Sequence, residues 1–123
     1  MDMKFSSTQK YLHTLQKVSI SEYYITVYDL LTGSQVFELK ISNQEKQRWP
    51  NLHFSDDDKL VFMVREQGII SFDSSEGFQE WKKFPVKNCE ELSISPGYQG
   101  TFRIAAVTPE VLITNILITF KDF

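Results

Sequence analysis

The sequence predicts an all-β fold of repeated, blade-like sheets, and three observations carry this prediction. Aromatic residues form 14% of the 123 residues, and Ile, Val and Thr are frequent, which favours strands over helices. An apolar residue followed by serine, a polar turn and a β-branched run occurs three times, beginning at Phe5, Phe54 and Ile94. These copies are 49 and 40 residues apart, which is close to the roughly 40–45 residues of a propeller blade. We therefore expect a partial β-propeller of about two and a half blades of antiparallel strands.

The first predicted blade, residues 1–46, is expected to be incomplete because the chain begins inside it. Its strands follow from apolar alternation and are expected at residues 3–6, 11–15, 24–29 and 36–39. The second of these segments also fits one face of a short helix, and the repeat favours the strand. Gly33 can supply the positive φ of a hairpin turn. Residues 43–48 are polar and charged, so we expect a surface loop between blades.

The central blade, residues 47–88, is expected to be complete. Its four strands are predicted at residues 52–54, 60–64, 68–73 and 78–84. Asp56, Asp57 and Asp58 are predicted to form its first turn, since Asp favours turns. Asp29 and Asp73 each follow an aromatic residue at a strand end, 44 residues apart. We expect both carboxylates to close the turn that follows.

The last blade, residues 89–123, is expected to be incomplete, with strands at 92–95 and 102–107 and a turn through residues 98–100. Residues 111–120 form a divergent tail, which is too short for a spanning helix of about 20 residues. A piece of a ring leaves its outermost sheet faces uncovered. We therefore expect a marginal, oligomeric or aggregation-prone protein, with the uncharged, β-prone tail as its worst segment.

Composition narrows the class of partner and the compartment. The net charge of −3 gives no general attraction to phosphate backbones, and the tight basic cluster is Lys82, Lys83 and Lys87. Cys89 is the single cysteine, so no internal disulfide can form and a reducing compartment is expected. The N-terminus lacks the apolar stretch of a signal peptide. A cytoplasmic location follows as the expectation.

No motif in the chain predicts an enzyme, and we expect no catalytic, metal or cofactor-binding residue. The nucleophile-elbow, phosphate-loop and dinucleotide patterns do not occur. His13 and His53 have no Cys or Glu at metal spacing, whereas a zinc site takes about four ligands. Cys89 lies between acidic and polar residues, where a lowered thiol pKa is not expected. An ordinary thiol is the favoured interpretation.

The two tryptophans are the candidates for contact with a partner. Every nucleic-acid base can stack on an indole, and Trp81 precedes Lys82 and Lys83. We predict that this edge contacts ribosomal RNA or a protein partner. Trp49 comes just before a predicted core strand, so packing between blades is favoured for it.

Several ordered segments resemble the N-terminal WD-type β-propeller of the eukaryotic translation initiation factor 2A family. The resemblance extends over residues 3–110 and depends on the order and spacing of its parts. These are Val27-Tyr28-Asp29-Leu30-Leu31-Thr32-Gly33, Arg48-Trp49-Pro50, Phe54-Ser55-Asp56-Asp57, Leu92-Ser93-Ile94-Ser95-Pro96-Gly97 and Ala105-Ala106-Val107-Thr108-Pro109. After Pro109 the sequence departs from the Gly- and Pro-containing loop of the family.

The resemblance implies a cytoplasmic, non-enzymatic interaction platform of translation initiation. Its implied partners are the small ribosomal subunit, initiator tRNA and other initiation factors, with no membrane and no DNA. A generic WD-type scaffold or a propeller similar to the one in translation initiation factor 3 is the alternative. A second alternative is a self-contained small β-barrel or sandwich that binds a ligand. That fold needs the terminal strand to pair with the first one.

Overall fold

The computed structural model describes residues 2–95, 101–108 and 114–119. In this part of the chain the strands are β1 (Asp2–Phe5), β2 (Tyr11–Lys17), β3 (Tyr23–Asp29), β4 (Gln35–Ile41), β5 (Leu52–Phe54), β6 (Leu60–Arg65), β7 (Gly68–Asp73), β8 (Gln79–Phe84), β9 (Glu91–Ile94), β10 (Thr101–Val107) and β11 (Thr114–Thr119). They are joined by a one-turn helix, α1 (Asn43–Lys46), and a 3₁₀ turn at Ser74–Glu76.

The strands form three antiparallel sheets that follow chain order. The first sheet has the order β1-β2-β3-β4, the central sheet β5-β6-β7-β8, and the last sheet β9-β10-β11. This meander of blade-like sheets confirms the predicted all-β class. Strand β11 pairs with β10, with Thr101 opposite Thr119. The last strand therefore continues its own sheet, and the pairing that a small closed barrel requires is replaced by a hairpin.

The first sheet has more strands than an incomplete blade implies. Residues 1–46 were expected to form such a blade, but β1 pairs along its whole length with β2, from Asp2 opposite Leu15 to Phe5 opposite Leu12. The sheet therefore has four strands, as the central sheet does. The expectation depended on where the chain begins, which does not determine how many strands pair. The domain boundaries at residues 46 and 88 stay predictions.

The serine of the repeat closes the same turn in each sheet. Its backbone N–H donates to a carbonyl of the next strand, and its hydroxyl accepts from the N–H of that same residue. The two distances are 2.9 and 3.0 Å for Ser6 with Tyr11, 2.8 and 3.0 Å for Ser55 with Leu60, and 2.8 and 2.9 Å for Ser95 with Arg103. A serine at this position satisfies a backbone donor at the end of the turn. This is the physical reason for the repeated apolar-serine pair.

The second recurring turn depends on Asp and Gly, as predicted. Asp29 Oδ1 accepts from Leu31 N at 2.9 Å, and Asp73 Oδ1 accepts from Ser75 N at 3.0 Å. Gly33 has a φ of +75° and its N–H donates to the Asp29 carbonyl at 2.7 Å. Both aspartates therefore act as turn-closing acceptors.

The link between the first two sheets is a helix, so the surface loop predicted for residues 43–48 was wrong. Ser42 caps α1: its hydroxyl accepts from Glu45 N at 3.2 Å, and Glu45 Oε1 accepts from Ser42 N at 3.3 Å. This reciprocal pair is a capping box, whose Ser-x-x-Glu signature is visible in the sequence. Glu45 is buried and binds Arg65, with Nε to Oε2 at 2.7 Å and Nη2 to Oε1 at 3.0 Å.

The core consists of two clusters, one on each face of the central sheet. The first lies against the first sheet and contains Tyr11, Leu15, Tyr23, Ile25, Val27, Ile41, Leu52, Val61, Met63, Phe72 and Phe78. The second lies against the last sheet and contains Leu60, Phe62, Val64, Ile69, Cys89, Ile104 and Ala106. Strand β6 contributes alternate residues to both clusters. Trp49 packs against the first cluster, as favoured from the sequence.

Two sequence predictions involve residues outside the described ones. The turn predicted at residues 98–100 lies outside them, as do residues 111–113 and 120 of the predicted tail. The rest of that tail is strand β11. Among the described residues, no helix has the length and apolar content needed to cross a bilayer.

Candidate functional site

A polar cavity of about 330 Å³ lies where the first strands of the three sheets approach one another. Strands β1, β5 and β9 each form an edge of their sheet. The polar side chains that line the cavity are Lys4, Ser7, His13, His53 and Ser93, together with apolar residues of the same strands. None of the described residues lining it carries a carboxylate. The cavity therefore has an uncompensated positive charge.

The repeat brings these side chains together. Lys4, His53 and Ser93 each precede the apolar residue with which a copy of the repeat begins. Each therefore has the same register, and each lies opposite an equivalent residue of the next strand. The three pairs are Lys4 with His13, His53 with Phe62, and Ser93 with Ala105. The sequence prediction considered the histidines only as metal ligands, although the repeat register already placed Lys4 and His53 in equivalent positions.

His13 is the most deeply buried polar group of this cavity. Its side chain is 1% exposed, and its ring lies 4.4 Å from the Trp49 ring between centroids. The Nε2 atom is buried and has no hydrogen-bond partner. Burial lowers the pKa of His13 to about 3, and the positive charges of His53 and Lys4 lower it further in the same direction. The imidazole is therefore neutral at pH 7.

His53 is half-buried and behaves in the same way. Burial lowers its pKa to about 4, with a smaller contribution from Lys4. Two neutral imidazoles and one ammonium group therefore line the cavity at neutral pH. Neutral imidazole offers one donor and one acceptor nitrogen, and the ammonium group offers three donors. Such a set can bind an anion or a hydrogen-bonding polar group.

The same residues are poorly suited to a metal ion. Across the described part of the chain, no group of three or more His, Cys, Asp and Glu side chains is placed to hold one. Two imidazoles supply half of a tetrahedral site. Lys4 adds a repulsive charge to any cation in the cavity.

The predicted contact edge, Trp81 with Lys82 and Lys83, lies on β8, the outermost strand of the central sheet. Trp81 is half-buried and packs against the second cluster. Lys82 is exposed, with its Nζ 4.8 Å from the Trp81 ring centroid, and Lys83 Nζ lies 3.4 Å from Glu80 Oε1. The two lysines point into solvent, whereas the indole is partly used for packing. The role of this edge in binding stays a prediction.

Cys89 is buried, and its thiol donates to the Glu91 carbonyl at 3.1 Å. Burial raises the pKa of this thiol above its usual range, against a smaller opposing effect of Arg48. A protonated, buried thiol is a poor nucleophile.

Asp58 links the first two sheets, a role that was not predicted. The aspartate triplet does form the β5–β6 turn, but Asp58 is 2% exposed and reaches the β1–β2 turn. Its Oδ2 accepts from Ser6 Oγ at 2.6 Å, from Thr8 N at 3.2 Å and also from Thr8 Oγ1. This carboxylate fixes the approach of β1 to β5, and so the width of the cavity.

Comparison with known proteins adds information at the level of fold. No family model matches the chain. No curated protein sequence matches it significantly. The crystal structure of a eukaryotic initiation factor superposes on 98% of this chain with a TM-score of 0.69 and 21% sequence identity. The chain spans 32% of the length of that structure. At this identity the likeness establishes the fold: the three sheets are similar to a segment of a eukaryotic initiation factor.

Proposed function

We propose that this chain is a non-enzymatic interaction module of translation initiation, similar to part of the propeller of the initiation factor 2A family. The observation that carries the proposal is the structural match to a eukaryotic initiation factor over nearly the whole chain. The ordered segments that resemble the 2A family support the same assignment independently. The proposed location is the cytoplasm, and the proposed partners are the small ribosomal subunit, initiator tRNA and other initiation factors.

The surface proposed to contact these partners is the β8 edge. Lys82 and Lys83 are exposed there, and Lys82 lies over the indole of Trp81. Neighbouring ammonium groups neutralise phosphates, and the exposed part of an indole offers a stacking surface. Because Trp81 also packs inside the protein, the lysines are expected to contribute more to binding than the ring does.

Co-sedimentation with purified small ribosomal subunits tests this function. The unmodified chain is expected to pellet with the subunits, and the double variant K82E/K83E is expected to lose most of that binding. A matched double variant, K10E/K17E, makes the same charge change at exposed lysines of the first sheet and is expected to retain it. The same three proteins are then tested for initiator tRNA by mobility shift.

Failure of the unmodified chain to bind either the small ribosomal particle or the tRNA would contradict the proposed function. Equal binding by K82E/K83E and the unmodified chain would leave the module assignment in place and remove the β8 edge as its contact surface. The two outcomes therefore separate the function from the site.

A further inference from the structure

We propose that the cavity between β1, β5 and β9 binds a tetrahedral oxyanion of the phosphate class, held by Lys4, His13 and His53. This inference goes beyond the proposed function and does not depend on it, since it concerns a different part of the molecule from the β8 edge. The oxyanion can be free inorganic phosphate or the phosphate group of a nucleotide. Both present the same negatively charged oxygens to the cavity.

Charge is the first argument. The charged and titratable groups that line the cavity, among the described residues, are Lys4 on β1, His13 on β2 and His53 on β5. All three are basic, and the described lining from β9 adds the neutral hydroxyl of Ser93. A concave site lined by one sign of charge concentrates ions of the opposite sign. The cavity therefore selects anions over cations and neutral ligands.

The second argument is an unsatisfied polar atom. His13 Nε2 is buried without a hydrogen-bond partner, although its side chain lines the cavity. Buried polar atoms in folded proteins nearly always have a partner, so an exception at the wall of a cavity points to a ligand. A phosphate oxygen can accept a hydrogen bond from this nitrogen in the appropriate tautomer, while Lys4 supplies a charge-assisted bond.

The third argument is the repeat itself. The residues equivalent to His13 are Phe62 in the central sheet and Ala105 in the last sheet. Both of these are apolar, as is expected for side chains between packed sheets. An imidazole is found at this position in the first sheet alone, next to the second imidazole and the lysine. A purely structural position would be expected to follow the apolar pattern of its equivalents.

A divalent metal is the competing ligand for two neutral imidazoles. The described residues offer no third His, Cys, Asp or Glu there. The ammonium group of Lys4 also opposes a cation, so the oxyanion is the better fit.

Imidazole NMR correlation spectra of the full chain test the proposal, with inorganic phosphate added at pH 7 and constant ionic strength. The His13 and His53 ring signals are expected to shift saturably, and the pKa of both rings is expected to rise, since a bound anion stabilises the imidazolium form. Lys4→Gln is expected to weaken binding roughly three- to tenfold, the range for one hydrogen bond to a charged group. Lys87→Gln, at an exposed loop lysine, is the matched control and should change nothing.

Linear shifts equal to those produced by chloride would overturn the proposal, and so would saturable shifts with Zn²⁺ alone. His13→Gln alters a buried residue and can unfold the protein, whereas Lys4 is exposed, so Lys4→Gln keeps the test decisive. A second titration with a ribonucleoside 5′-monophosphate identifies the source of the oxyanion. Tighter binding than inorganic phosphate assigns the site to a phosphate ester, and weaker binding assigns it to the free ion. Both results support the oxyanion site.

Discussion

The first and central sheets are built from the same repeat, but their faces differ. Both have four strands and the same serine-closed turn. In the central sheet, all residues of β6 from Leu60 to Val64 are buried, because a cluster covers each face. In the first sheet, Tyr11 and Leu15 of β2 face the central sheet, while Leu12 between them is half-buried. Coverage by a neighbouring sheet, rather than the repeat, decides whether alternation disappears.

The uncovered side of the first sheet, here called the leading face, bears Met3, Phe5 and Leu12. Met3 and Phe5 are 59% and 58% exposed. Beside them lies a polar network, in which Gln16 Nε2 donates to Thr14 Oγ1 and to Tyr28 OH, each at 3.2 Å. The same strand positions are therefore apolar in one sheet and partly polar in the other. Four experiments test this contrast.

The largest effect is expected from Phe62→Ala, which removes a fully buried ring from the second cluster. We expect the free energy of unfolding to fall by about 3–5 kcal/mol, as for other aromatic truncations in cores. Leu12→Ala on the leading face should cost only about 1 kcal/mol, because its side chain is already half-exposed. Urea unfolding followed by circular dichroism measures both. Equal losses would show that the two sheets are covered alike.

A smaller loss is expected from Asp58→Ala, which removes the acceptor shared by Ser6 and Thr8 of the first sheet. Leaving these buried donors without their partner should cost about 1–3 kcal/mol. Asp56→Ala changes an exposed residue of the same turn and should stay within about 0.5 kcal/mol. Both variants can be compared by thermal unfolding. If they are indistinguishable, the carboxylate does not hold the two sheets together.

Acid should weaken the interface of these sheets through its histidines. The pKa of His13 is lowered to about 3 and that of His53 to about 4. Below their ordinary pKa of about 6.5, the unfolded chain binds protons that the folded chain does not, so stability is complete above pH 6.5 and falls as the pH decreases toward 4. The slope approaches about 1.4 kcal/mol per pH unit for each histidine.

His13→Phe, which introduces the residue found at the equivalent position of the central sheet, should remove the His13 part of this slope. Urea unfolding of both proteins at pH 7, 6 and 5 measures the difference. Parallel stability curves, or a directly titrated His13 pKa near 6.5, would contradict the prediction.

The smallest effect on stability is expected from Phe5→Ser, within about 0.5 kcal/mol, since this ring is mostly in solvent. The equivalent change in the central sheet, Phe54→Ser, should cost more, because Phe54 stacks on Tyr11 with ring centroids 6.1 Å apart. Sedimentation velocity at high concentration adds a second readout. Exposed apolar side chains favour association, so Phe5→Ser should reduce self-association, whereas an unchanged oligomer distribution would exclude the leading face as its source.

Much of this contrast could be predicted from the sequence. The repeat period predicted the strands and both recurring turns, since Ser6, Ser55, Asp29 and Asp73 act within a few residues of their own position. Helix α1 was missed because polar composition was given more weight than the Ser-x-x-Glu pattern at Ser42.

The linking role of Asp58 and the cavity of His13 and His53 could not be predicted in the same way. Their contacts join residues about 40 to 50 positions apart in sequence, on different sheets. Such contacts depend on how closely the sheets stack, which no local pattern encodes. The shared register of Lys4 and His53 was the one signal available in advance.

The position of β6 between two clusters has a consequence for how the molecule opens. Each cluster couples one outer sheet to the central sheet, so the three sheets behave as a short linear chain of units with nearest-neighbour coupling. In such a chain the end units open first, and the middle unit opens only when both couplings are lost. Amide hydrogen exchange should therefore be slowest in β6 and β7 and faster in β1 and β4. The central sheet then sets the lifetime of the folded state, while the outer sheets determine how it meets other surfaces.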